Sequence, residues 1–313
     1  MKLWYFEDNG GNFGDALNPW FWSQVAPELE LSSPDSLLLG IGTLINHRAP
    51  SGMPVRVFGS GAGLGELPAA VADWDFYCVR GPLTAAQLGL DASKAVTDPA
   101  ALCTRLYQPE DQQKRYRCSY MPHYMSQQWG NWPALCAAAG VHYIDPTAPT
   151  FEIIDQIVQS EMLITEAMHG AIVADCYRVP WQAVANSGQL NPKWQDWMQS
   201  LEFSCGPVLE LEQVYRGDGE LAPGQRFKNS FKRLCLSLSG DRLDWTPPPP
   251  KKSSGIHFDT QVKRLSDAAR IGAVGLSDNR VLQARLDRLE ELLQQLRADC
   301  LAQVPSVRLE PSL

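Results

Sequence analysis

The chain has 313 residues, 44% of them apolar and 20% charged, a balance that excludes a disordered or fibrous protein and leaves room for two folded cores. Its formal net charge of −8 excludes a nucleic-acid partner, which calls for clustered Lys and Arg, so an anionic substrate would need locally placed cations. No apolar run is long enough to cross a bilayer, and Met1-Lys2-Leu3-Trp4-Tyr5 runs into Glu7 and Asp8 without the apolar core of a secretory signal. The eight cysteines are scattered singly, with no CxxC and no Cys/His spacing for zinc, which predicts reduced thiols, a cytoplasmic protein and no metal site.

Short apolar runs, each followed by a glycine-rich or polar turn and then a helix-like segment, recur along the first two-thirds of the chain. That is the habit of βαβ units. The first predicted strands are Leu3 to Phe6, Ser36 to Leu39, Val55 to Phe58, Phe76 to Val79 and Ala95 to Thr97. After the first comes Gly11-Asn12-Phe13-Gly14-Asp15-Ala16-Leu17-Asn18-Pro19-Trp20. Gly11 and Gly14 permit close approach of a ligand to the backbone, Asn12 and Asn18 can cap or hydrogen-bond, and Asp15 can be acceptor, base or plain N-cap. The glycines of Phe58 to Gly65 fall at every second position, which does not fit GxGxxG and reads as a turn near the cleft. Arg80, at a strand end and followed by Pro82, is either a cation pointing into the cleft or half of a surface ion pair.

A charged polar stretch, Pro109 to Arg117, separates these from a second set of strands at Arg117 to Tyr120, Val141 to Ile144, Met162 to Thr165 and Trp181 to Val184, with helical spacing in Glu152 to Gln159 and Ala171 to Tyr177. The prediction is an α/β protein of two Rossmann-like domains, residues 1–112 and 113–245, facing a cleft at the carboxyl ends of their strands, where open α/β sheets bind ligands. His123 follows the first strand of the second domain and poses the same choice as Arg80. The run Met162 to Asp175 says more: a buried strand, a short polar turn, and a helix opening near His169 or Gly170. Helix-start amides such as those of Gly170 and Ala171 favour an anion, His169 can add a positive hydrogen bond or a proton, and Glu166 becomes a general acid if burial raises its pKa.

Beyond Trp245 the proline run from Pro247 reads as an extended linker over 246–256, followed by a helical C-terminal extension over 257–313. There Leu282, Leu286, Leu289, Leu293, Leu296 and Cys300 make a narrow stripe over about three heptads. Two readings stand side by side: an arm for a homo-oligomer through the 282–300 helix, or an amphipathic helix lying back on its own protein.

At these motifs the sequence resembles the polysaccharide pyruvyl transferase family, in a branch similar to bacterial succinoglycan pyruvylation proteins. The carriers are Asn12-Phe13-Gly14-Asp15-Ala16-Leu17-Asn18, Val79-Arg80-Gly81-Pro82, Thr97-Asp98-Pro99-Ala100, Pro122-His123-Tyr124 and Thr165-Glu166-Ala167-Met168-His169-Gly170-Ala171-Ile172, with Asn191 to Trp197 in addition. Together they cover roughly Met1 to Phe203, whereas the tail after Pro247 resembles nothing named.

The resemblance implies a GT-B-like pair of Rossmann-type domains, phosphoenolpyruvate as co-substrate with no resident cofactor, a lipid-linked oligosaccharide or polysaccharide acceptor, and a pyruvate ketal product. The implied location is cytoplasmic, with a peripheral position at the inner membrane face left open. The family's Arg-x-His motif maps its histidine onto His169 and its arginine onto Ala167, so Arg80, Arg105, Lys193 or His123 has to supply that charge. The expected roles are His169 with the Gly170 and Ala171 amides on donor phosphate, Glu166 or His123 in proton transfer, and Asp15 or Asn12 on acceptor hydroxyls, with Gly14, Asn18, Arg80 and Lys193 completing the substrate site. Trp20, Trp22 and Trp194 can stack on sugar faces or fill the core. The competing readings are a nucleotide-sugar glycosyltransferase of the same architecture and a non-catalytic scaffold of a polysaccharide-synthesis complex.

Overall fold

The computed structural model describes residues 1–7, 11–27, 35–63, 65–219, 221–239 (234–239 by backbone alone), 248–272 and 275–302. Leu64 of the glycine-rich turn, the expected domain edge at Trp245, the linker's first residues Thr246 and Pro247, and the tail from Gln303 on lie outside the described residues.

Two parallel sheets follow one another along the chain. The first holds β1 (Lys2–Trp4), β2 (Leu37–Leu39), β3 (Val55–Phe58) and β4 (Asp75–Cys78), side by side in that order. The second holds β5 (Ser119–Met121), β6 (His142–Tyr143), β7 (Leu163–Thr165), β8 (Trp181–Ala185) and β9 (Leu209–Glu210) in the order β6-β5-β7-β8-β9. Strands such as Leu37-Leu38-Leu39 and Leu163-Ile164-Thr165 are buried on both faces, the continuous apolar pattern that helices on either side of a parallel sheet require. The helices are α1 (Phe13–Val25), α2 (Pro82–Gln87), α3 (Cys103–Leu106), α4 (Tyr124–Gln127), α5 (Trp132–Ala139), α6 (Thr150–Val158), α7 (Met168–Cys176), α8 (Pro192–Ser200), α9 (Pro223–Ser239), α10 (Gly255–Ile271) and α11 (Asn279–Leu301).

One apolar core runs from Leu17, Phe21 and Trp22 of α1 through Ala171, Ile172 and Val173 of α7 to the leucines of α11, so the two sheets share their packing. Each keeps a smaller core on its far side: Leu37, Leu39, Val55 and Trp74 for the first, and Tyr120, Trp132, Ile164 and Leu265 for the second. Leu265 and Ala268 bring α10 against α5, and Ser254 caps that helix by accepting from the His257 amide at 3.2 Å.

Two expectations change. Ala95 to Thr97 is no strand: Ala95 makes only an isolated bridge to Val79, because Asp98 already caps a 3-10 turn that opens with Pro99. The leucine stripe of α11 is no oligomerisation seam. Leu282, Leu286, Leu289, Leu293, Leu296 and Cys300 are all buried in the chain's own core, each leucine contributing about 2 kcal/mol. That face is spent, and with it goes the feature on which the scaffold reading rested. Polar contacts fix the helix across both sheets: Tyr77 Oη donates to Asp299 (2.6 Å) on one side, and Arg285 Nε donates to the Ser200 carbonyl (2.8 Å) on the other. Its start is held by buried Asp175, which accepts from the Ser277 amide (2.9 Å) and from Trp181 Nε1 (3.1 Å).

Candidate active site

The strand order of the second sheet reverses at β5, and a cavity of about 270 Å³ opens there, beyond the carboxyl ends of β5 and β7. Its walls come from the turns after five strands, Pro146 standing for β6. Asn12, Gly14 and Asp15 follow β1, Gly42 and Thr43 follow β2, His123 and Tyr124 follow β5, and Ala167, Met168 and His169 follow β7, with Lys193 from α8 closing one side. A second cavity of about 280 Å³ shares Thr43 and Lys193 with the first and is lined by Arg80, Thr84, Gln87, Asn191 and Asp196.

His169 is placed by its turn. Thr165 Oγ1 accepts from the Ala167 amide (3.0 Å) and closes the turn, and α7 starts at Met168 with no side-chain cap, leaving its first-turn amides at the cavity wall. The imidazole lies against Gly14: a Cβ there would sit 2.0 Å from Nδ1, so no other residue fits at this point of α1. Nε2 faces Asp98 Oδ2 at 3.7 Å, and neither atom has a hydrogen-bond partner among the described residues. Asp98 is wholly buried, its other oxygen accepting from the Ala100 amide at 3.0 Å. A buried carboxylate beside a ring nitrogen selects the tautomer with hydrogen on that nitrogen and aims the other into the site.

His123 caps α4, its Nδ1 accepting from the Met125 amide at 3.4 Å, which leaves hydrogen on Nε2. Burial, then the charges of Lys193 and His169, push its pKa down to about 4, so it is a neutral donor at neutral pH. Glu166 does not reach the cavity. Its Oε2 accepts from the His123 amide (2.9 Å) and the Ser126 hydroxyl, so it holds the His123 loop. Burial raises its pKa and those hydrogen bonds oppose the rise. The expected proton-transfer role for Glu166 therefore becomes one of positioning.

Lys193 lines both cavities, and its ammonium has no hydrogen-bond partner among the described residues. Burial and then the Arg80 charge lower its pKa, while Asp15 opposes them. Asn191 caps α8 by accepting from the Lys193 amide at 3.1 Å, which fixes where this side chain leaves the helix.

Of the turn after β1, Asn12 donates to Asp15 and both line the cavity. Asn18 does not: it is fully buried, with Nδ2 donating to the Ile41 carbonyl and Oδ1 accepting the Ile41 amide, both at 3.0 Å. Its role is to clamp the turn after β2 onto α1. Gly170 and Ala171 also lie behind the cavity wall; a Cβ on Gly170 would meet Met121 Sδ and Thr165 Oγ1 at 2.9 Å, so this glycine serves packing of α7 on the sheet.

Arg80 forms no surface pair. It is 1% exposed, donates from Nε to Asp196 (3.2 Å) and from Nη1 to Thr43 (2.9 Å), and borders the second cavity. Asp196 also accepts from the amide (3.0 Å) and hydroxyl (2.6 Å) of Thr84, joining α8 of one sheet to α2 of the other. Arg105 pairs with Asp287 and Glu290 of α11, away from both cavities. None of the three tryptophans lines either cavity: Trp20 packs edge-on to Phe151, Trp22 on Phe58, and Trp194 beside Trp181 and Trp197. No cluster of three metal-ligating side chains occurs among the described residues, and no described helix is long and apolar enough to cross a membrane.

The residues missed in the sequence are Asp98, Asp196, Thr43 and Tyr124. For Asp98 the expected outcome of Asp98→Asn is a drop of roughly a hundredfold in turnover at an unchanged fold, since the amide can donate to Nε2 and reverse the tautomer of His169. Nitrogen-15 shifts of the His169 ring check this; an unchanged tautomer with unchanged turnover would refute it.

A family model described as polysaccharide pyruvyl transferase matches residues 52–188, a span containing Arg80, Asp98, His123 and His169. The chain is also 43% identical over 211 residues to the succinoglycan biosynthesis protein ExoV of Rhizobium meliloti (strain 1021), covering 66% of this chain and 67% of that one. No solved structure matches the chain.

Proposed function

The chain belongs to the polysaccharide pyruvyl transferase family, and from that premise we propose that it moves the enolpyruvyl group of phosphoenolpyruvate onto a pair of sugar hydroxyls, forming a pyruvate ketal in exopolysaccharide biosynthesis. The observation that carries the donor assignment is the convergence of the uncapped start of α7, His169 and the unpartnered Lys193 ammonium on one cavity. A trianionic donor fits that set: helix-start amides and His169 for the phosphate, and Lys193 in place of the arginine that Ala167 lacks.

Two parallel sheets presenting their carboxyl ends to one cavity support a GT-B-like arrangement, with the acceptor, a lipid-linked oligosaccharide or polysaccharide, entering past Thr43 through the second cavity. In the reaction a proton is added to the methylene carbon of phosphoenolpyruvate, and cationic character develops at the carbon bearing phosphate. One acceptor hydroxyl adds there and its proton passes to the phosphate oxygen as the C–O bond to phosphate breaks; a second hydroxyl closes the ketal, its proton replacing the one added to the methylene carbon. With Nε2–H turned to Asp98, His169 in its protonated form presents Nδ1–H to the cavity, placed to deliver the proton or hold the departing phosphate, and Asn12 and Asp15 are placed to receive the acceptor hydroxyls.

Phosphoenolpyruvate at about a hundred times its Kd should raise the melting temperature by roughly 5 °C, because a ligand of the folded state stabilises it by mass action. In Lys193→Ala the same donor concentration should give about half that shift or less, reflecting roughly ten- to hundredfold weaker binding once the charged hydrogen bond is lost. Stabilisation by a nucleoside-diphosphate sugar in place of phosphoenolpyruvate would instead mark a glycosyltransferase.

A further inference from the structure

Helix α9 turns its polar side inward. Asn229 is buried, Gln225 donates to it (3.2 Å), and Asn229 and Arg233 both donate to Asp218 (3.4 and 2.9 Å). Arg233 also bonds the Pro249 carbonyl at 2.6 Å, so the side carrying residues 225, 229 and 233 is the docked one. At 100° per residue, Phe227 and Phe231 fall on the opposite side, one turn apart, and they are 76% and 57% exposed. Helical geometry places Lys228 and Lys232 on one flank of this pair and Arg226 on the other. None of the three has an acidic partner among the described residues, and α9 contains no Asp or Glu.

An apolar stripe bordered by basic side chains, whose stems can lie along it while their charges reach past it, suits a membrane–water boundary. Charge decides between a lipid surface and a second copy of the chain. The exposed side of α9 carries basic side chains and no acidic one, so it complements an anionic lipid surface, whereas pairing with the same helix of a second copy would set like charges against each other. The segment entering α9 is also tied to the loop that His123 opens: Gln213 Nε2 donates to the Ser126 carbonyl (2.6 Å) and Arg216 Nη2 to the Gln128 carbonyl (2.7 Å).

We propose that α9 is an interfacial helix that docks the protein on anionic lipid headgroups, Phe227 and Phe231 entering the acyl boundary and Arg226, Lys228 and Lys232 engaging headgroup phosphates. The inference needs no assumption about donor or reaction, and vesicle binding is measured without either.

The experiment is sedimentation of the full chain with vesicles of phosphatidylcholine alone and of phosphatidylcholine containing about a third phosphatidylglycerol. The wild type is expected to bind the anionic vesicles selectively and to be released by salt. Lys228→Glu with Lys232→Glu should lower the partition coefficient by about 25-fold or more, at about fivefold per basic side chain. Phe227→Ser with Phe231→Ser should lower it by about tenfold or more. Both double variants should keep the wild-type melting temperature and transfer to a soluble acceptor, which separates this inference from the pyruvyl-transfer reading. Folded wild type that ignores anionic vesicles, or double variants that bind them unchanged, would overturn it. So would a lipid-free dimer that the two serines dissociate, which would assign the stripe to a second copy.

Discussion

His169→Gln is expected to lower kcat/KM for pyruvyl transfer by about a thousandfold while moving the melting temperature little. Glutamine is the informative replacement because its amide nitrogen can still give the buried Asp98 a donor, whereas alanine would leave that carboxylate alone in the core. On the proposed mechanism the loss is that of proton delivery by the imidazole, worth a hundred- to ten-thousandfold by the usual range, or of a charged hydrogen bond to the departing phosphate, of similar size. Phosphate release from phosphoenolpyruvate, followed with and without acceptor, is the measurement. A variant retaining a tenth of the wild-type rate would remove His169 from the chemistry and leave it a packing partner of Gly14.

Asp196→Ala should cost about 3–5 kcal/mol, because it strands the Arg80 guanidinium in a site with almost no solvent and releases both Thr84 contacts. Thermal melting should fall by roughly 10 °C. The paired replacement Arg80→Met with Asp196→Leu separates charge from shape: burying two apolar side chains in place of an ion pair is often neutral, so most of the stability should return. Activity should not return with it, since α8 also carries Lys193 and Arg80 borders the second cavity. Full activity in the stable double variant would mean that the pair is a strut with no bearing on acceptor or donor.

Why some of this was legible in the sequence and some not follows from the length scale of each signal. The strands around Val55, Leu163 and Trp181 are buried on both faces, so local apolar runs betray them. The α7 start could be read because Thr165 to Ile172 contains its own turn, its glycine and its histidine within one segment. Asp98 and Asp196 could not: each looks like an ordinary cap or helix-surface acid, and only the folded chain brings one to His169 and the other to Arg80. Thr97-Asp98-Pro99 did carry a cap signal, which predicts the turn but not the partner. Asn18 failed in the opposite direction. Its amide matches a ligand's needs, yet the turn at Ile41 presents the same donor and acceptor from the backbone and takes it first. The α11 stripe shows that a heptad-like pattern reports an apolar face without saying whose apolar surface covers it.

Helix α11 also sets the order of events by which the chain reaches this structure. Tyr77 meets Asp299 and Arg56 meets Cys300 across sequence separations of 222 and 244, and the shared core is incomplete without the α11 leucines. Contacts of such separation form late, since the entropy of closing the loop precedes any gain from the contact. During synthesis the first sheet therefore emerges long before the helix that covers it, and waits with apolar surface open to misassociation or to a chaperone. The expected consequence is that docking of the last described helix limits how fast the protein becomes active, and substitutions along the Leu282–Leu296 stripe should reach the cell as slow maturation before they register as altered chemistry.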